Sequence, residues 1–185
     1  ITTGDWSSDV CSSDLADFLQ EPISPITGTR FENARATKMV HIVEFTADLI
    51  KNGKLKLDPR RNDHIRLTFH DSCNPARAMG LFEEPRYIIK NACNQFYEMA
   101  EDTIREKTFC CGGGAGLGNE ENFEMRMRGG MPRAMAVREV VRKHDVNRLG
   151  CICAIDRATL TTLMDYWVPG VTVMGVHELL ANALV

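Results

Sequence analysis

Short β-rich runs alternate with longer helical patterns between residues 38 and 185, and this alternation restricts the possible folds more than any other feature of the sequence. The predicted strands cover 64–70, 107–109, 149–155 and 171–176, and the predicted helices cover 38–51, 82–99, 120–128, 132–144, 157–166 and 177–184. Strands that are separated by helices favour a parallel sheet with helices packed on it. We therefore predict an α/β fold: a layered domain with a small, mostly parallel sheet, flanking helices, and cysteine loops at the carboxyl ends of the strands.

Local signals refine two of these helices. The first helix is predicted to bury a face made of Ile42, Phe45, Leu49 and Ile50. Gly129 and Gly130 are predicted to interrupt the helical pattern, which Pro132 then restarts.

The seven cysteines are many for one domain, and they are Cys11, Cys73, Cys93, Cys110, Cys111, Cys151 and Cys153. A small disulfide-bonded secreted domain is usually shorter and denser in cysteine, and the first residues do not form a signal peptide. We therefore favour metal-bound thiolates in a reducing compartment over disulfides. Cys93 lies inside a predicted helix, where it is expected to pack as a small apolar side chain.

Five of the thiols form the pattern C-x36-C-C-G-x38-C-x-C, and each group is predicted at or just past the end of a strand. Ligands collect at that edge of an open α/β sheet. Soft thiolates favour iron–sulfur clusters or zinc. Vicinal thiolates fit two corners of one small tetrahedron poorly, but they can bind different irons of a cluster. The glycines after Cys111 lack Cβ atoms, so the backbone there can pack against inorganic sulfide and donate N–H groups to it.

The motifs HDSCNPAR, FCCGGGAGL and CICAIDRATL resemble the CCG domain of the heterodisulfide reductase superfamily. Residues 38–185 resemble the C-terminal part of its DsrK-like subunits, which belong to membrane-bound electron-transfer complexes of dissimilatory sulfur metabolism. The resemblance implies an iron–sulfur cluster, [4Fe–4S] or a non-cubane variant, with Cys73, Cys110, Cys111, Cys151 and Cys153 as ligands. Many relatives carry C-x-x-C at the last pair. Here one residue separates Cys151 from Cys153, so both can bind only if the strand ends or bulges there.

The resemblance also implies partners and a location. The partners would be other subunits of a membrane-bound electron-transfer complex and a sulfur-carrier protein with reactive cysteines. The protein would be cytoplasmic and peripheral to the inner membrane, and it would transfer electrons to or from a sulfur–sulfur bond. His70, Asp71 and Arg77 are possible auxiliaries to the cluster. The alternatives are a CCG-domain electron-transfer subunit of a glycolate- or lactate-type oxidoreductase and a zinc-stabilised interaction domain.

Composition and segment boundaries complete the expectations. The net charge of −3 does not favour nucleic acid as a partner, and no apolar run reaches the ~20 residues needed to insert into a bilayer. Residues 1–15 read like a translated sequencing adapter, 16–35 are expected to be irregular, and 36–185 are predicted to form the cluster-binding domain. The family's N-terminal C-x-x-C-x-x-C-x-x-x-C-P runs do not occur in this sequence. We therefore expect a C-terminal fragment that is inactive alone.

Overall fold

A computed structural model describes residues 40–114, 117 and 119–185. The expectations for residues 1–15 and 16–35, including Cys11, lie outside these residues. In the described part, a sheet has three parallel strands in the order β1 (Leu67–Phe69), β2 (Arg148–Cys151) and β3 (Thr172–Gly175). Residues 95–97 run along the free edge of β1, where Leu67 N donates to Gln95 O and Tyr97 N donates to Leu67 O. The predicted fold class is confirmed.

Five α-helices of the described residues surround this sheet. They are α1 (Ile42–Lys51), α2 (Glu83–Ala92), α3 (Phe123–His144), α4 (Ala154–Trp167) and α5 (Val176–Ala183). Short 3-10 turns at Pro59–Asn62, Glu101–Thr103, Arg105–Lys107 and Glu120–Asn122, and one π turn at Asn74–Ala78, connect them. None of the helices in the described ranges is long and apolar enough to cross a membrane.

Two hydrophobic clusters fill the space between the sheet and the helices. One joins α3 and α4 to Leu149 and Val173, and the other joins α1, α2 and α5 to Leu67 and Met174. Val173 and Met174 are neighbours in β3 and belong to different clusters, as expected for side chains that alternate across a strand. Helices therefore cover both faces of the sheet.

The predicted buried face of α1 is wrong at two of its four residues, whereas Leu49 and Ile50 are half-buried and Ile50 packs against the core. Ile42 and Phe45 are 53% and 52% exposed, whereas Val43, Thr46 and Ala47 are buried. The buried residues also follow the i, i+3, i+4 spacing of a helix, one position out of phase with the larger side chains. The periodicity of the large apolar side chains therefore placed the centre of the buried face one position away from its true place.

The predicted break at Gly129–Gly130 and the predicted strand at 107–109 are also wrong. Helix α3 runs without interruption from Phe123 to His144 and includes Pro132. A Cβ atom on Gly130 would lie 2.8 Å from Leu163 Cδ1 and 3.0 Å from Cys111 O, so this glycine allows α3 to pack closely against its neighbours. A 3-10 turn ending at Lys107, rather than a strand, leads to Cys110.

Candidate metal centre

The loops after β1 and β2 lie side by side because these strands are neighbours in the sheet. The first loop carries His70, Asp71, Ser72 and Cys73, whereas Cys151 is the last residue of β2 and Cys153 lies in the second loop. The backbone N–H of Cys153 donates to Ser72 Oγ over 3.3 Å. This bond ties the residue before Cys73 directly to Cys153.

The close spacing of Cys151 and Cys153 is compatible with both thiols lying near one site. Strand β2 ends at Cys151, and Cys153 occupies the N-cap of α4, so the strand does not continue through the pair. Cys151 is buried, and its Sγ lies 3.7 Å from Met174 O, whereas Cys153 is half-buried. Burial raises the pKa of the Cys151 thiol, and the carboxylate of Asp156 raises it further.

The segment that leads to Cys110 is fastened to the β1 loop. Thr108 Oγ1 donates to Asp71 O over 2.8 Å. Arg77 donates to Glu106 O over 3.0 Å and also to Thr108 O. Arg77, predicted as an auxiliary, thus makes bonds that hold this segment in place.

The vicinal thiols have opposite environments: Cys110 is exposed and Cys111 is buried. A hydrogen bond from the Cys111 thiol lowers the pKa of Cys110 to about 5, and the N–H of Gly112, 3.3 Å from Cys110 Sγ, contributes to the same shift. The same contact with Cys110, together with burial, raises the pKa of Cys111. Cys110 is therefore the thiol of this pair that is ready to act as a thiolate near neutral pH.

A buried polar pair lies beneath the thiols. His70 Nε2 is 3.5 Å from Asp156 Oδ1, and both side chains are almost completely buried. Burial would raise the pKa of Asp156, but His70 and hydrogen bonds from Ser72 and Cys111 outweigh it and lower that pKa. His70 Nδ1 is buried without a hydrogen-bond partner among the residues the structure describes. Asp156 thus links the vicinal pair to the β1 loop.

Asp71, one of the predicted auxiliaries, and Cys93 make mainly structural contacts. Asp71 forms a bidentate pair with Arg86 at 2.7 and 2.8 Å and also accepts from Arg105 N at 2.8 Å. Cys93 packs in the cluster of α1, α2 and α5, and its Sγ lies 3.5 Å from Ile65 O. Cys93 is therefore a packed core thiol.

Two of the three consecutive glycines serve packing. Gly112 has φ +88°, and a Cβ there would lie 2.6 Å from Arg126 O. A Cβ on Gly113 would lie 2.1 Å from Thr159 Cγ2. At Gly114 a Cβ would meet no described atom within 4 Å, so this glycine alone retains the open space expected of a residue beside a bound group.

The thiols suit an iron–sulfur cluster by their chemistry. Within residues 40–114, 117 and 119–185, no three His, Cys, Asp or Glu side chains are arranged to hold one metal ion. In a cluster, by contrast, the thiolates are distributed over several irons, so the sulfur atoms need not converge on one point. Five soft donors on three segments that hydrogen bonds join, with the unpartnered buried His70 Nδ1 beside them, fit such a group.

Sequence reasoning missed the buried charged residues of this region. Asp156, Arg86 and Arg133 are at most 2% exposed. Each stands in an otherwise ordinary amphipathic segment, so the local pattern gives no sign of its burial. The burial of these residues could have been predicted only from knowledge of which distant segments of the chain contact each other in the fold.

Comparison with known proteins supports the resemblance carried by the three motifs. The chain is 53% identical over 146 residues to an Hdr-like menaquinol oxidoreductase iron-sulfur subunit of Archaeoglobus profundus, covering 79% of this chain and 26% of that protein. It is 48% identical over 162 residues to Hdr-like menaquinol oxidoreductase iron-sulfur subunit 2 of Archaeoglobus fulgidus, covering 86% and 29%. It is 33% identical over 153 residues to a dihydromethanophenazine:CoB--CoM heterodisulfide reductase subunit of Methanosarcina mazei, covering 80% and 34%.

The chain thus spans about a quarter to a third of the length of these relatives. No model of a known protein family matches the sequence, and no solved structure matches it. Over the matched residues, the chain belongs to the heterodisulfide-reductase-like (Hdr-like) iron–sulfur subunits.

Proposed function

We propose that the chain holds one iron–sulfur cluster through Cys73, Cys110, Cys111, Cys151 and Cys153 and serves electron transfer in an Hdr-like oxidoreductase. The observation that carries this proposal is the joining of three cysteine segments by hydrogen bonds. Cys153 N bonds to Ser72 Oγ, and Thr108 Oγ1 bonds to Asp71 O. The names of the relatives, which include iron-sulfur subunits, support the same cofactor.

The proposal that a sulfur-carrier protein is the substrate rests on the different exposure of the thiols. Cys73 and Cys110 are exposed, whereas Cys111 and Cys151 are buried. A group held by these residues would be anchored from the protein side and approached from the side of Cys73 and Cys110. A cysteine or persulfide of a sulfur-carrier protein could therefore reach it, which fits a role in dissimilatory sulfate reduction or sulfur oxidation.

The chemistry is reduction or formation of a sulfur–sulfur bond. Reduction of R–S–S–R′ takes two electrons and two protons and yields R–SH and R′–SH. When bound, a [4Fe–4S] or related non-cubane cluster supplies or accepts electrons singly. Asp156 and His70 would hold the buried side of the site, and the N–H of Gly112 would donate to the Cys110 sulfur.

The electrons must come from other proteins. We propose that partner subunits of a membrane-bound complex deliver them and hold this chain on the cytoplasmic side of the inner membrane. The relatives are three to four times longer than the matched region, which fits the proposal that this chain alone is inactive.

A second candidate function is electron relay without chemistry at sulfur. The two relatives at 53% and 48% identity are named menaquinol oxidoreductase subunits, which favours a cluster that only passes electrons to or from a quinone. In this case the cluster would be saturated by its cysteines and would not respond to an added thiol.

Anaerobic reconstitution with iron and sulfide tests the cofactor. We expect a brown protein with about four irons and matching acid-labile sulfide per chain, since five thiolates suit one cluster. Cys93→Ser is the matched control, because it removes a thiol that packs in the core. A colourless protein with one tightly bound zinc would refute the proposal and favour a zinc-stabilised domain.

A further inference from the structure

Arg133 is a fully buried cation on α3 with an unusual set of partners. Its guanidinium donates to Thr103 O at 2.6 Å, to Thr108 Oγ1 at 2.7 Å and to Met99 Sδ at 2.9 Å. All three partners are uncharged. Its Nε has no hydrogen-bond partner in the described part of the chain.

Arg86, the other fully buried arginine among the described residues, shows the contrast. Arg86 is paired with two carboxylates, those of Asp71 and Glu98. No carboxylate among the described residues forms an ion pair with Arg133. A buried charge is costly unless an opposite charge offsets it. Arg133 therefore lacks the compensation that Arg86 has.

The position of Arg133 points to where an opposite charge would lie. Its Cζ is 5.7 Å from the ring centre of Phe109, the residue before Cys110. Thr108, to which it donates, is bonded in turn to the β1 loop. Burial lowers the pKa of Arg133 to about 10, and the acidic groups that oppose this shift are Asp71, Asp156 and Cys111. The guanidinium thus lies within electrostatic reach of the vicinal thiols.

We propose that Arg133 is the buried counter-charge of the iron–sulfur cluster and raises its reduction potential. This inference rests on the proposed function, because it assumes that the five thiolates hold a cluster. Thiolates and sulfides make such a group anionic, and net charge nearby is one of the factors that set cluster potentials. A cation in a water-poor environment favours the reduced, more negative form of the cluster.

The test is a redox titration of the reconstituted full chain, followed by electron paramagnetic resonance, in three variants. R133M removes the charge, R133K keeps it but changes the hydrogen bonds, and R128M removes an exposed charge from the same helix. Arg128 is 77% exposed, so it is the matched control. At a fixed applied potential, we expect R133M to lower the ratio of reduced to oxidised cluster by about tenfold. This corresponds to a midpoint potential that is lower by about 59 mV for a one-electron couple. R133K and R128M should stay near the wild-type potential.

Each other outcome is decisive. If R133M fails to bind a cluster and R133K binds one, the positive charge is needed to hold the cluster, which supports the counter-charge role; the potential of R133K then tests whether the charge also sets the potential. If both variants bind a cluster at the wild-type potential, or both fold without binding one, Arg133 serves shape and hydrogen bonding only. A wild-type chain that binds no iron would instead refute the proposed function itself.

Discussion

The two adjacent glycines of α3 predict opposite effects for the same substitution. Gly129 is exposed, and a Cβ there would meet no described atom within 4 Å. Gly130 is buried, and a Cβ there would lie 2.8 Å from both Leu163 Cδ1 and Cδ2 and 3.0 Å from Cys111 O. Gly129→Ala and Gly130→Ala therefore form a matched pair, because the two positions are neighbours in the same helix and the substitution is the same.

The helix-propensity gain is common to both variants, and the contacts decide the difference. Alanine in place of glycine inside a helix stabilises by about 0.8–1 kcal/mol. At Gly130 the added methyl must displace Leu163, which is completely buried, and the backbone oxygen of Cys111. Overpacking of this kind costs about 1–3 kcal/mol. Gly129→Ala should raise the free energy of unfolding by roughly 1 kcal/mol. The free energy of unfolding of Gly130→Ala should be lower than that of Gly129→Ala by about 1–3 kcal/mol.

Urea unfolding of the cluster-free chain, followed by circular dichroism, measures the difference. Equal slopes of free energy against urea concentration would show that the two variants unfold comparable surfaces. An equal gain in stability for both variants would refute the packing argument. It would mean that α3 does not approach Leu163 and Cys111 as closely as described.

Three further predictions concern the thiols. Cys110→Ser and Cys111→Ser should abolish iron binding, because a serine oxygen is a poor donor to iron, whereas Cys93→Ser should retain it. Iron analysis of the three variants checks this, and an equal loss of iron in Cys93→Ser would contradict the proposed ligand set. In the metal-free chain, iodoacetamide should modify Cys110 first, at a rate nearly constant from about pH 6.5 to 8.5, since a thiol with its pKa lowered to about 5 is already ionised there. Mass spectrometry of the alkylated peptides would reveal a contrary order, such as Cys151 first. The electron paramagnetic resonance signal of the oxidised cluster should change when a sulfur-carrier protein or a small dithiol is added. It should not change with a carrier whose reactive cysteine is replaced. A spectrum that stays the same after every addition would favour electron relay.

The existence of β1, β2 and β3 could be predicted, because buried parallel strands are short apolar runs with helices between them. Their lengths could not: the predicted strand at 149–155 ends at Cys151. The sequence could not show which face of α1 is buried. Val43 and Ala47 are smaller than Ile42 and Phe45, and only the neighbouring α2 and α5 decide which side packs.

The prediction at Gly129–Gly130 failed for a different reason. Glycine and proline are helix breakers by local propensity, but tertiary packing overrides a weak preference. Gly130 allows Leu163 and the Cys111 backbone to approach α3, and this contact is invisible to any local pattern.

The cysteine segments of the candidate site were found from spacing and motif, because thiols are rare and their positions after predicted strands are informative. The buried charges around them were not found. Asp156 contacts His70, and Arg133 contacts Thr103 and Thr108. These pairs are far apart in sequence, so only the folded arrangement brings them together.

The bond between Cys153 N and Ser72 Oγ joins residues that are 81 positions apart, and this separation has a consequence for biogenesis. Contacts between such distant residues form late, because the chain between them must first be ordered at an entropic cost. During synthesis, a nascent chain that has not yet exposed Cys151 and Cys153 would offer only the first three of the five proposed ligands. Insertion of a cluster would then follow completion of β2 and α4 rather than accompany translation. Ribosome-stalled chains that are truncated before Cys151 should accordingly retain no iron. Chains that extend to the end of α5 and are released from the ribosome should take up iron.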